Sequence, residues 1–316
     1  MAYAQGGVIQ AADYNQLAQS NIGGNLIYVW GTGSTDWGYG QTTTQIATVS
    51  SATDVTATQW AGLVYTLNRI LGHQYAAGAQ LASGSNIGIT AGATITFFAN
   101  VASSVSNVAT NHRNYGSQGT TLTGSNFTST QSYADSNSGF NFSVARTATF
   151  ASGDAARYFF NSGGQLQLVI TAVNNNATAR SDDYVTFFQT NLGGTTVGAQ
   201  TNTARTGSGG TLNASNTTAG YYSLSTTPTT YANLTSASAT YSYNADWGRL
   251  NVNSNNPQGS NGDRGSTITF TVDTAQPAQT NSNFNDAVNV TVTTRVDIIF
   301  PETTFLANTW GVIGIT

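Results

Sequence analysis

The chain predicts an α+β protein: a helical N-terminal region followed by a mainly antiparallel, β-sandwich-like region. Three observations carry this. One apolar stripe with helical spacing stands out early, at Trp60, Leu63, Val64, Leu67, Ile70 and Leu71. From about residue 116 the pattern changes to short alternating runs separated by Ser/Thr/Asn/Gly connections. Charged residues are only 7% of the chain while aromatics reach 11%, with a net charge of −4. Disordered chains are typically charged and poor in aromatics, so this composition points to an ordered protein with a neutral polar surface. The expected division is a helix-rich region, 1–112, and a β-rich domain, 113–316, with one inserted helix near 181–192.

Residues 11–21 form a first short helix in this reading, stopped by Gly23-Gly24. Residues 25–30 read as a short apolar strand. The glycine-rich 31–40 segment then reads as a loop carrying two aromatic plugs, Trp37 and Tyr39. It has neither a Walker lysine nor a GxGxxG pattern, so it is not a phosphate cradle. The Trp60–Leu71 stripe belongs to a second helix, capped by Thr56 or Thr58 and ended by Gly72. A third helix is expected over about 94–111, with Phe98, Val101, Val105 and Val108 on one side. Its β-branched residues also suit a strand.

The stretch 140–173 is expected to organise the β region. Phe140, Phe142 and Val144 alternate with polar neighbours, as do Leu166, Leu168 and Ile170. Between these runs Arg157, Tyr158, Phe159, Phe160, Asn161, Ser162, Gly163 and Gly164 read as an aromatic run closing on a diglycine turn, a structural hairpin. Further strands are expected at 221–225, 240–244, 249–253, 267–272 and 288–300. For the inserted helix Ser181 reads as the N-cap, Asp182 and Asp183 favour its positive end, and Gly193-Gly194 stops it. Residues 200–218 read as an exposed low-complexity loop.

The search for chemistry finds little. His73 and His112 are the two side chains suited to neutral-pH proton transfer. His73 reads as a helix-end residue, where a cationic imidazole is favourable for structural reasons. There is no GxSxG elbow, HExxH or EF-hand loop. A glycosidase needs two facing carboxylates; the chain has one glutamate, Glu302, and aspartates mostly in turns. Asp182 and Asp183 are sequential, so on a helix they diverge by about 100°. No catalytic, cofactor or metal residue is expected, and the chain is read as a non-enzyme.

The nine basic residues are all arginine and lie scattered, so no basic stripe invites nucleic acid. Zero cysteine excludes a disulfide framework and thiolate metal sites. No apolar run reaches the roughly 18 residues of a membrane helix, and the first residues lack the basic start of a signal peptide.

Several segments resemble virion structural proteins of tailed bacteriophages, of the myovirus and cyanophage type. These are residues 157–164 with their 140–154 flank, Ala11-Ala12-Asp13-Tyr14-Asn15, residues 31–41, Trp60 with Leu67-Asn68-Arg69 and His73-Gln74, Asn261-Gly262-Asp263-Arg264-Gly265, Pro301-Glu302-Thr303-Thr304 and Asn308-Thr309-Trp310-Gly311. The chain departs from the usual form in having no lysine. The resemblance implies a neck, tail or fibre component of the virion, assembled in the host cytoplasm. Its partners would be other virion proteins and itself, with a trimer favoured over a hexameric ring. It brings no site residues with it. The alternative is a receptor- or glycan-binding fibre tip, with Trp37, Tyr39 and Trp247 stacking on sugars; a capsid decoration protein ranks below both.

Overall fold

A computed structural model describes residues 9–19, 26–34, 36–51, 53–76, 81, 98–133, 140–199, 206–208, 211–212, 220–235, 247–256, 265–276 and 287–316. The fold is α+β, with helices early in the chain and antiparallel sheets after them. Its contacts define two compact units that are discontinuous in sequence. The first comprises Met1–Thr120, Arg157–Gly163 and Phe300–Gly311; the second comprises Thr121–Ala156, Gly164–Ile299 and Val312–Thr316. Composition places one boundary near residue 112. The contacts put the first break after Thr120 and return the chain to the first unit twice more.

In the first unit, helices α1 (Ala11–Gln19), α2 (Leu26–Trp30), α3 (Ala57–Tyr75) and α4 (Phe98–Thr110) surround one apolar core. The α3 stripe faces inward: Trp60, Leu63, Val64, Leu67, Ile70 and Leu71 are all buried. Thr56 caps this helix in a full capping box with Gln59. Gly72 does not end α3, which runs on to Tyr75. The glycine instead admits the Phe305 ring, which an added Cβ would meet at 2.4 Å. Residues 25–30 were expected as a strand, yet Leu26–Trp30 is helical. Leu26, Val29 and Trp30 are buried at i, i+3 and i+4, a helical face that five apolar residues in a row conceal. In α4, Val101, Val105 and Val108 are buried. The Phe98 side chain, residues 94–97 and the Gly23-Gly24 stop lie outside the described residues.

The second unit is built on two sheets. One orders β1 (Gln118–Leu122), β10 (Val288–Pro301), β4 (Gln165–Asn174) and β5 (Thr195–Val197), with β2 (Phe127–Tyr133) also paired to β10. The other runs β11 (Gly314–Ile315), β3 (Phe140–Thr149), β9 (Thr267–Gln276), β8 (Trp247–Ser254), β7 (Thr229–Thr235) and β6 (Thr211–Leu212). The registers β2–β10, β4–β10, β3–β9, β7–β8 and β8–β9 are all antiparallel. Alternation sets the faces: Leu166, Leu168 and Ile170 of β4 and Leu250 and Val252 of β8 point inward between less buried neighbours.

Two further strand expectations and the start of the inserted helix need correction. Arg157–Gly164 is not a hairpin: β3 and β4 lie in different sheets, and helix α5 (Gly153–Asn161) stands between them in sequence. Ser152 Oγ accepts the Ala155 N–H at 3.0 Å and starts the helix. Ala156, Phe159 and Phe160 then fall at i, i+3 and i+4, all buried, so the aromatic pair is a helical face. Gly163 takes φ +86°, as a turn residue should, and closes the segment. Second, Tyr221–Ser223 is a 3₁₀ turn rather than a strand. Third, the inserted helix starts earlier, as α6 (Ala179–Val185), with Thr178 as the N-cap accepting from the Ser181 N–H. It widens into a π-helix over Thr186–Leu192, and Gly193 stops it at φ +63°. The 240–244 strand and most of 200–218 lie outside the described residues.

Candidate functional site

In the first unit the 31–41 loop is tied to distant parts of the chain. Gly33, Gly38 and Gly40 have positive φ, which folds the loop back on itself. Its carbonyls then serve as docking points for distant parts of the chain. Arg157 Nη1 donates to the Trp37 carbonyl at 2.5 Å and Asn161 Nδ2 to the Gly38 carbonyl at 3.0 Å. Thr309 Oγ1 donates to the Tyr39 carbonyl at 2.7 Å. The Gln41 amide pairs with both backbone groups of Ala307, at 2.9 and 3.0 Å. The Tyr158 ring packs on Gly40, where a Cβ would sit 2.4 Å from it. Residues 157–163 and 300–311 are thereby tied to this loop, and α3 also holds the second segment directly, through Arg69 Nε donating to the Phe305 carbonyl at 2.6 Å.

The residues expected to form a hairpin are placed by this arrangement. Arg157 and Asn161 are buried and serve the loop. Phe159 and Phe160 pack edge to face at 5.1 Å, and Phe159 also meets Phe300 and Trp310. Gly163 lies under the Tyr115 ring, and Gly164 is the next residue, just before β4. Sequence reasoning finds the loop and its aromatic plugs; the partners of its carbonyls have no local signal.

Neither histidine is set up for proton transfer. His73 is buried inside α3, not beyond its end, and burial lowers its pKa to about 4. Both of its ring nitrogens lack hydrogen-bond partners among the described residues, and the ring meets Tyr39 edge-on at 5.0 Å. A cationic imidazole is therefore disfavoured there. His112 stacks on Trp37 at 3.7 Å, and its Nδ1 hydrogen-bonds the Ala109 carbonyl at 2.9 Å. Burial lowers its pKa, and the Ala109 bond opposes this in part. Its Nε2 lies 4.0 Å from Asp36, the carboxylate that pairs with Arg113. Tyr39 donates to the His112 carbonyl and accepts from Gln74, and burial pushes its hydroxyl pKa up.

The carboxylates among the described residues are engaged separately. Asp182 accepts from Asn174 at the start of α6. Asp297 accepts from Arg295 and from the Gly124 N–H. Glu302 accepts from the Thr304 N–H. Among the described residues, no three His, Asp or Glu side chains gather as metal ligands.

The three aromatics expected to stack on sugars are engaged otherwise. Tyr39 has no exposed surface, Trp37 has one face against His112, and Arg249 lies over the Trp247 ring at 4.8 Å. Tyr39 is therefore a core residue, while Trp37 and Trp247 stay partly exposed.

The surface of the second unit instead carries ladders of hydroxyls and amides. Thr230, Asn251, Asp273 and Ser143 are linked across β7, β8, β9 and β3. Thr128 meets Thr293 and Thr130 meets Thr291, which also accepts from Asn175. The same β10 residues pair β4 on one side and β2 on the other, so β2 lies at the border of its sheet. No described strand lies beyond it. Leu122 and Phe127, 53% and 44% exposed, stand at that border. From residue 114 to 134 the sequence holds no charged residue and no proline.

Comparison with protein-family models, curated proteins and solved structures finds no match. Among the described residues no helix is long and apolar enough to cross a membrane.

Proposed function

We propose that the chain is a non-enzymatic structural component of a tailed-phage virion, in the neck, tail or a fibre, and assembles as a symmetric homo-oligomer. The observation that carries the assembly reading is the border of the five-stranded sheet at β2, beyond which no described strand lies. An unpaired strand edge is a template for another chain, and proteins that stay monomeric guard such edges with charge, proline or a covering element. Residues 118–133 supply no charge or proline of their own; Arg146 reaches only the start of β2, over the Phe127 ring at 5.6 Å and to the Ser125 carbonyl at 3.4 Å, and Leu122 and Phe127 stay 53% and 44% exposed. The neutral Thr128–Thr293 and Thr130–Thr291 pairs also suit contact, because burying them removes no charge from water. Closed symmetry lets identical chains use such a border without open-ended growth. A trimer is the favoured state. The virion assignment is supported by the resemblance of the seven segments described above.

The test is light-scattering mass on the purified chain and on a Leu122→Lys/Thr130→Lys variant. Both positions are exposed, so the fold is retained. The native chain is expected to be an oligomer and the variant a smaller species. A native monomer at high concentration contradicts the assembly reading, and antibody label absent from intact phage particles contradicts the virion reading.

A further inference from the structure

The first unit also carries a groove of about 520 Å³. Gln118, Gly119 and Thr120 of β1 form one wall; Phe300 and Pro301, the Glu302–Thr304 turn, Asn308 and Trp310 form the rest. Its volume lies in the range of about 300–1,000 Å³ typical of small-molecule sites. The groove is braced before any ligand arrives. Gln41 fixes Ala307 from both sides and Thr309 is tied to Tyr39, so the 302–310 segment is held at its middle and its end. Gly119 lets β1 approach so closely that an added Cβ would lie 2.5 Å from the Pro301 carbonyl oxygen.

The lining selects a ligand class. No lysine, arginine or histidine is present, so an anion has no counter-charge there. One carboxylate is too few for a divalent cation, which takes six or more oxygen ligands. The groove does offer donors and acceptors together. The Asn308 side-chain oxygen is used by the Gly311 N–H at 2.8 Å, while its amide hydrogens have no partner among the described residues. The Gln118 amide, the threonine hydroxyls and the Glu302 carboxylate add both kinds of group. The floor is Trp310, 1% exposed, whose indole N–H has no acceptor among the described residues. Phe300 and Pro301 supply an apolar wall.

We propose that this groove binds a neutral saccharide. Adjacent sugar hydroxyls each donate and accept, which suits paired amide and carboxylate groups, and the C–H face of the ring suits the apolar wall. The proposal does not depend on assembly through β2, since no β2 residue lines the groove.

The experiment is saturation-transfer NMR on the full chain with glucose, galactose, mannose, N-acetylglucosamine and their β-linked disaccharides. The comparison variants are Gln118→Ala and Asn308→Asp; the second keeps the oxygen that holds Gly311 and removes the free amide donors. At least one sugar is expected to show transfer, with affinity reduced about two- to tenfold in each variant, the equivalent of one hydrogen bond. Three outcomes overturn the proposal: no transfer from any sugar, transfer unchanged in both variants, or binding of an uncharged Ser/Thr/Gly peptide in place of every sugar.

Discussion

The two units are held together in different ways. In the second unit the stabilising interactions repeat: antiparallel ladders, alternating apolar residues on one face, and linked Thr, Asn and Ser side chains on the other. In the first unit they are singular. A loop with three positive-φ glycines offers its carbonyls to Arg157, Asn161 and Thr309, and Gln41 holds Ala307. A repeating lattice spreads its free energy over many similar residues, whereas a tie concentrates it in a few. Substitutions of the same chemical kind should therefore cost more in the first unit.

Glycine gives the largest contrast. Gly40→Ala must adopt φ +71° and push its Cβ into the body of the Tyr158 ring. Left-handed strain and overpacking together cost about 2–5 kcal/mol. Gly248→Ala in β8 keeps ordinary backbone and meets the outer edge of the Phe187 ring at 2.7 Å and the Thr274 methyl at 3.3 Å, costing about 1–3 kcal/mol. Urea denaturation of both variants checks this, and a larger loss for Gly248→Ala would break the comparison.

His73 gives an effect next in size, read through pH. Its folded pKa of about 4 lies below the ordinary 6.5, so the unfolded chain takes up a proton that the folded chain refuses. Its contribution is intact above about pH 6.5 and is lost as pH falls towards 4, by on the order of 3 kcal/mol. His112, held low by burial, adds a slope of the same sign. Stability against pH for His73→Phe should be flatter than for the native chain across this window. An identical slope would mean that His73 is not held neutral by burial.

The smallest contrast compares hydrogen bonds. Gln41→Ala leaves both Ala307 backbone groups without their partner and should cost about 1–3 kcal/mol. Thr130→Ala removes one exposed cross-strand pair with Thr291 and should cost about 0.2–1 kcal/mol. Thermal melts of the pair sharpen the comparison if the order holds and weaken it if the two shifts are equal.

The same difference decides what is legible in the sequence. Strands β3, β4, β8, β9 and β10 announce themselves because one face is buried, so Leu166, Leu168 and Ile170 must alternate with polar neighbours. Helix α3 is equally plain, since its stripe follows the 3.6-residue period. Strand β2 is invisible, because Thr128, Ser129, Thr130 and Gln131 place no apolar residue on either face. The short aromatic runs mislead: Leu26–Trp30 and the Phe159-Phe160 pair suit a strand by propensity, and tertiary burial makes them helical. Thr178 is passed over as a cap because Ser181, three residues on, has the same chemistry beside the same acids. The groove at Glu302 has no local signature at all. It is formed by residues near 118 and near 302, and only the folded chain brings them together.

The central claim is that the 31–41 loop holds residues 157–163 and 300–311 in the first unit. Native-state hydrogen exchange on Gln41→Ala tests it most directly, because opening free energies are read amide by amide. The account predicts that amides of residues 157–163 and 300–311 lose protection together with those of the 31–41 loop. Retained protection in residues 157–163 and 300–311, with only the loop exposed, would contradict it.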